Sequence, residues 1–175
     1  GNSQPWRWLY KNDALYLYNG FDANSTILGY NNLSSYVAFG AAIENLLLSA
    51  SEMNFKTQFS FFPDQKNKNL IAAFTFLKDN SVAKFTKRSE AIIYRLTNRR
   101  LGERVTIDTA ILEKLTNAAK ETTGAHLRFF TDEKDLAIIA DLLGELEKIR
   151  LMDDLGHKDF VEEMRWTEEE NNRKR

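Results

Sequence analysis

The sequence predicts an α+β fold, with flanking helices and a long central buried helix packed on an aromatic-rich sheet. Three observations predict it. Short aromatic runs separated by turn residues open the chain, a long apolar segment follows them, and the C-terminal half carries apolar residues at helical spacing.

Taken in order, Trp6 to Tyr10 and Ala14 to Tyr18 read as two strands, and Lys11-Asn12-Asp13 supplies the turn of a hairpin. The polar loop from Asn19 to Ser25 follows. The stretch from Ser34 or Ser35 to Met53 reads as a helix with Ser35 as its N-cap. Val37, Phe39, Ile43, Leu46, Leu47 and Leu48 surround its axis, and only Glu44 and Asn45 are strongly polar inside it. A helix apolar all round is a buried one. Its Gly40-Ala41-Ala42 run admits either a closely packed neighbouring backbone or a flat ligand.

Phe55 to Phe62 reads as a strand with Phe55, Thr57, Phe59 and Phe61 on one face, ended by Pro63-Asp64. Asn69 to Leu77 is nearly continuous in apolar residues, the pattern of a strand buried on both faces. Ser81 to Arg95 is expected to be mostly helical, with Ala83, Ile92 and Ile93 inward. A further helix starts at an Asp108 cap, carries Ala110, Ile111, Leu115 and Ala118, and closes at Gly124. Ala125 to Thr131 reads as a short strand. Thr131 or Asp132 then caps a helix bearing Leu136, Ile139, Ala140, Leu143 and Leu146. A last helix is expected over Asp159 to Glu170, and residues 168–175 form a solvated tail. All 175 residues are expected in a single domain.

Composition narrows the function. The chain has 24 basic and 25 acidic residues and a net charge of −1, so no global field recruits nucleic acid or an anionic membrane. Cysteine is absent, which removes thiol nucleophiles, disulfides and thiolate metal sites and fits a cytoplasmic protein. No stretch reads as a membrane span or a signal peptide. Gly1 in place of an initiator methionine suggests a segment cut from a longer chain. His126 and His157 lack metal-ligand spacing and read as surface residues. No nucleophile elbow, Walker A loop or dinucleotide fingerprint occurs, and Glu162-Glu163 and Asp153-Asp154 read as solvated helix faces.

Two motifs remain. Asn2, Ser3 and Gln4 offer amide and hydroxyl groups suited to a heteroaromatic edge or a ribityl chain, and Pro5 fixes the backbone entering the strand; a polar turn before an edge strand is the simpler alternative. Arg95, Thr97 and Arg99 combine two guanidinium forks with a hydroxyl, a set suited to phosphate. If the segment is helical, the arginines lie one turn apart on one face; the alternative is a basic helix end complementing its dipole.

Together these motifs resemble the nitroreductase family of flavin proteins. The shared features are the Asn-x-Gln-Pro-Trp stretch at Asn2 to Trp6, the Gly-Ala-Ala-x-x-Asn-Leu-Leu-Leu-x-Ala helix at Gly40 to Ala50, and the Arg-x-Thr-x-Arg segment at Arg95 to Arg99. The resemblance is strongest to a branch with two such halves in one chain, some of whose members carry an adenylating domain of the ubiquitin-activating type. It implies an FMN site in which Asn2, Ser3 and Gln4 line the ring and ribityl while Arg95, Thr97 and Arg99 hold the phosphate or ribityl. It further implies hydride transfer from NAD(P)H through the flavin to a small nitro- or quinone-like substrate, with no side-chain acid or base required. The Gly-Ala helix face and the aromatic strands predict a homodimer.

Overall fold

The computed structural model describes residues 4–20, 32–98, 100, 102–103 and 105–173. They form an α+β chain with a four-stranded antiparallel sheet, ordered β1-β2-β4-β3. The elements run β1 (Trp6–Lys11), β2 (Ala14–Asn19), α1 (Leu33–Glu52), β3 (Phe55–Phe61), β4 (Leu70–Lys78), α2 (Thr86–Tyr94), α3 (Thr109–Lys120), α4 (Glu133–Met152), α5 (Asp154–Glu163) and α6 (Glu168–Arg173). The chain divides into two compact units, Gly1–Leu96 with Arg150–Arg175, and Thr97–Ile149.

In the first unit the expected hairpin forms with Lys11 opposite Ala14. Asn12 and Asp13 both take positive φ, 52° and 58°. Those angles make a two-residue type I′ turn, whose twist matches the flanking strands. Tyr10 Oη donates to Asp13 Oδ1 at 3.2 Å across this turn. β2 then pairs with β4, and β4 with β3. The register sets Leu17 opposite Ala72, and Leu15 and Phe59 opposite Phe74 on either side. Directly opposed residues share a face, so these side chains form one apolar surface. Phe39 and Ile43 of α1 join Leu17, Ile71, Ala72 and Phe74 in the core, with Trp6, Leu15, Leu46, Leu47 and Phe76 packed around it.

α1 differs from its expected form at its N-terminal end. The N-cap is Asn32, in the left-handed region without a side-chain cap bond, and Ser35 lies inside the helix, buried. Nor is the helix buried all round: Leu33, Tyr36, Val37, Gly40 and Ala41 remain exposed. A single sheet can cover only one side of a cylinder. By length and composition α1 could also cross a membrane, contrary to the expectation that no stretch would; in this fold it supplies core residues. After α1, Asn54 turns the chain with φ 60°. Lys78 Nζ donates to the Met53 carbonyl at 2.8 Å and lies 4.7 Å from the centre of the Phe55 ring, which ties this turn to the end of β4.

The strand expected to be buried on both faces is buried where it is flanked, at Leu70, Ile71, Ala72 and Phe74, and emerges at Leu77. α2 forms within the segment expected to be mostly helical. It spans only Thr86–Tyr94, Ala83 precedes it and is exposed, Ile92 is half-buried, and Ile93 is 82% exposed. The expected last helix is two: α5 is capped at its start by Asp153, whose Oδ1 accepts from the Leu155 and Gly156 amides, and gives way at Met164 to extended backbone. The start of the expected tail is helical. Thr167 Oγ1 accepts from the Glu170 amide at 3.2 Å, and Glu170 Oε2 accepts from the Trp166 and Thr167 amides, a reciprocal cap that starts α6.

In the second unit Asp108 caps α3 as expected, its Oδ1 accepting from the Ala110 amide at 2.9 Å. Gly124 takes φ 81° after that helix. Asp132 rather than Thr131 begins α4, accepting from the Lys134 amide at 2.8 Å. The strand expected over Ala125 to Thr131 does not form. A ladder requires a second edge, and alternation alone does not provide one. No α3 or α4 side chain is buried, and Leu143 and Leu146 face outward.

Candidate functional site

Gly40 sits on a cavity of about 560 Å³ in the first unit. Tyr36, Phe39, Gly40 and Ile43 of α1 form one wall, and Phe61, Phe62 and Ile71 from the sheet form the other. The local backbone explains the shape. β3 ends at Phe61, and Phe62 takes φ 47°, a left-handed conformation rare for an aromatic residue. That twist breaks the strand's alternation and brings the Phe62 ring edge-on to Tyr36, 6.2 Å between centroids. Tyr36 also meets Phe39 edge-on at 6.3 Å. A Cβ added to Gly40 would meet nothing within 4 Å, so the space before this glycine is open. The volume lies within the range of small-molecule sites. Its walls carry almost no polar surface, which suits a flat apolar body; the Tyr36 hydroxyl is the one polar side-chain group among the lining residues.

The residues predicted to bind flavin are distributed as follows. Asn2, Ser3 and Arg99 lie outside the described residues. Gln4 is exposed just before β1, while Pro5 beside it is buried and its carbonyl accepts from the Gly20 amide at 2.7 Å. Arg95 belongs to the first unit and Thr97 to the second. The helical spacing considered for Arg95 is not realised. Its amide still donates to the Ala91 carbonyl at 2.8 Å, but its ψ of 125° takes the chain out of the helix. Arg95 and Thr97 are both exposed. His126 and His157 are exposed as well, and no cluster of potential metal ligands occurs among the described residues.

Of the cavity residues, Gly40 was singled out by its small-residue run; Tyr36 and Phe62 were not. The available signal was the Phe61-Phe62 doublet, where two aromatic side chains in succession interrupt the alternation of β3.

No family model matches the chain. It is similar to the uncharacterized protein MT1398 of Mycobacterium tuberculosis (strain CDC 1551 / Oshkosh), with 27% identity over 169 residues. That alignment covers 95% of this chain but only 23% of the relative, so the chain spans less than a quarter of that protein's length.

Proposed function

We propose that this chain is a nitroreductase-like flavin domain that uses FMN to carry electrons from NAD(P)H to a small nitro- or quinone-like acceptor. The observation that carries this reading is the position of the Gly40 to Ala50 segment. It lies on the core helix α1 and presents its glycine to an apolar cavity of about 560 Å³. The open space before Gly40 and the aromatic walls suit a planar ring system. Gln4, with Asn2 and Ser3, would lie along the ring and ribityl, and Arg95, Thr97 and Arg99 would hold the phosphate or ribityl. FMN, when bound, supplies the hydride and electron chemistry, and the protein positions it and excludes water. The protein is proposed to work in the cytoplasm as a homodimer. Leu9, Tyr10, Leu33 and Val37 are apolar and exposed on this unit.

The length of the relative favours placing the chain within a much larger protein; the second reading, which the resemblance suggests, makes it an accessory or regulatory domain beside an adenylating domain. Anaerobic mixing of the FMN-loaded protein with NADH or NADPH separates the two. Loss of flavin absorbance, restored by a nitro- or quinone acceptor, is expected for the oxidoreductase. Bound flavin that neither nicotinamide reduces would point to the accessory role.

A further inference from the structure

Among the described residues β1 is an edge strand of the sheet, and its backbone is set for pairing. The Gly20 amide donates to the Pro5 carbonyl, so Pro5 and Gly20 occupy a hydrogen-bonded position of the β1–β2 ladder. Such positions alternate along an antiparallel pair. Arg7, Leu9 and Lys11 therefore direct their backbone groups towards β2, and Trp6, Trp8 and Tyr10 direct theirs outward. β1 contains no proline, and its pairing with β2 runs without a register shift, so it lacks two of the usual devices that blunt an edge. Apolar side chains stand exposed on both its faces, Trp8 and Tyr10 on one and Leu9 on the other. β3, the opposite edge, carries Lys56, Gln58 and Ser60 on its second face, a solvated edge.

We propose that β1 docks on β1 of a second copy, antiparallel about a two-fold axis through Trp8, continuing the two sheets as one. The sequence selects that register. Centred on Trp8, the outward residues meet only one another, Trp6 with Tyr10 and Trp8 with Trp8 in three hydrogen-bonded pairs, two bonds each. Aromatic pairs of this kind stabilise antiparallel strands. Between them Arg7 faces Leu9. Moving the centre by one residue either way leaves one pair of outward residues fewer and sets Arg7 against Lys11 or against Arg7, so like charges oppose the alternatives. Arg7 and Lys11 thus choose the register rather than prevent the pairing.

This assignment rests on the homodimer proposed above and is independent of flavin. The chain has no cysteine, so introduced pairs report cleanly. Arg7 and Leu9 of two copies form a non-hydrogen-bonded pair with Cα atoms about 4.5 Å apart, within disulfide reach. The double variant Arg7→Cys/Leu9→Cys should therefore oxidise to a reducible covalent dimer. A second variant needs no oxidation. Leu9→Lys adds two like-charge pairs at an exposed position and should raise the dimer dissociation constant by roughly 2- to 30-fold, whereas Leu9→Glu should not. A monomer at micromolar concentration, by sizing with light scattering, overturns both this proposal and the homodimer. A dimer that Leu9→Lys leaves unchanged, and that cross-links through Lys56→Cys/Ser60→Cys on β3 instead, overturns the β1 edge and keeps the homodimer.

Discussion

In the first unit Leu17, Phe39 and Phe74 are almost wholly withdrawn from solvent, whereas α3 and α4, which make up most of the second, bury no side chain. Both units are rich in apolar residues at the correct period. What separates them is the surface on offer. A sheet presents a broad apolar face on which α1 can set Phe39 and Ile43 against three strands' worth of side chains. Within its own unit, α4 leaves Ile138, Leu142, Leu143, Leu146 and Ile149 more than half exposed. An amphipathic stripe states which side of a helix must be covered. It does not state by what.

The largest test of this contrast is a pair of truncations. Phe74→Ala removes a sealed ring from the sheet core and should cost about 3–5 kcal/mol, while Leu143→Ala, already exposed, should stay within about 0.5 kcal/mol. Urea unfolding midpoints of the two variants measure both. Equal losses would mean that α4 is covered as thoroughly as β4, and the contrast would fail.

Two glycines sharpen it. A Cβ on Gly156 would collide with the Arg150 carbonyl oxygen, so Gly156→Ala should destabilise by about 1–3 kcal/mol. Gly144, inside α4, has open space around it, and Gly144→Ala should gain about 0.5–1 kcal/mol through helix propensity alone. Thermal unfolding with opposite signs for the two substitutions is the expected result.

The smallest effect is one of pH. Hydrogen bonds from the Ser81 hydroxyl, at 2.6 Å, and the Ser81 amide, at 2.8 Å, hold the Asp79 carboxyl below its ordinary value of 3.8. The folded state therefore binds this proton less readily than the unfolded chain. Its contribution is present above pH 3.8 and is lost as pH falls through the lowered value. Because the group is exposed the effect is slight. Asp79→Asn should flatten the acid limb of a stability-against-pH curve a little and leave neutral stability nearly unchanged.

Turns and helix starts in both units were legible because their signals are local. Asn12-Asp13 supplies a type I′ turn from residues that tolerate positive φ, and Asp108 and Asp132 cap from their own side chains. The failures depend on distant partners. Ser35 is chemically a good cap, yet packing draws it into the buried side of α1 and the helix starts at Asn32. Ala125 to Thr131 has a strand's alternation without a strand to pair with. The candidate cavity was half legible: Gly40 marked one wall by its size, but the opposite wall depends on the positive φ of Phe62, which no propensity favours. The phosphate residues were proposed from their guanidinium and hydroxyl chemistry and from resemblance, and the helical spacing considered for them is not realised, since Arg95 leaves its helix and Thr97 begins another unit.

FMN binding is the claim on which the functional reading depends, and ligand-induced stabilisation tests it directly. A ligand that binds only the native state, at a hundred times its dissociation constant, adds about 2.7 kcal/mol, which for a chain of this size raises Tm by roughly 5–10 °C. That rise is expected with FMN, and a smaller one with riboflavin, which lacks the phosphate proposed for Arg95, Thr97 and Arg99. A Tm that does not move at any FMN concentration would contradict it.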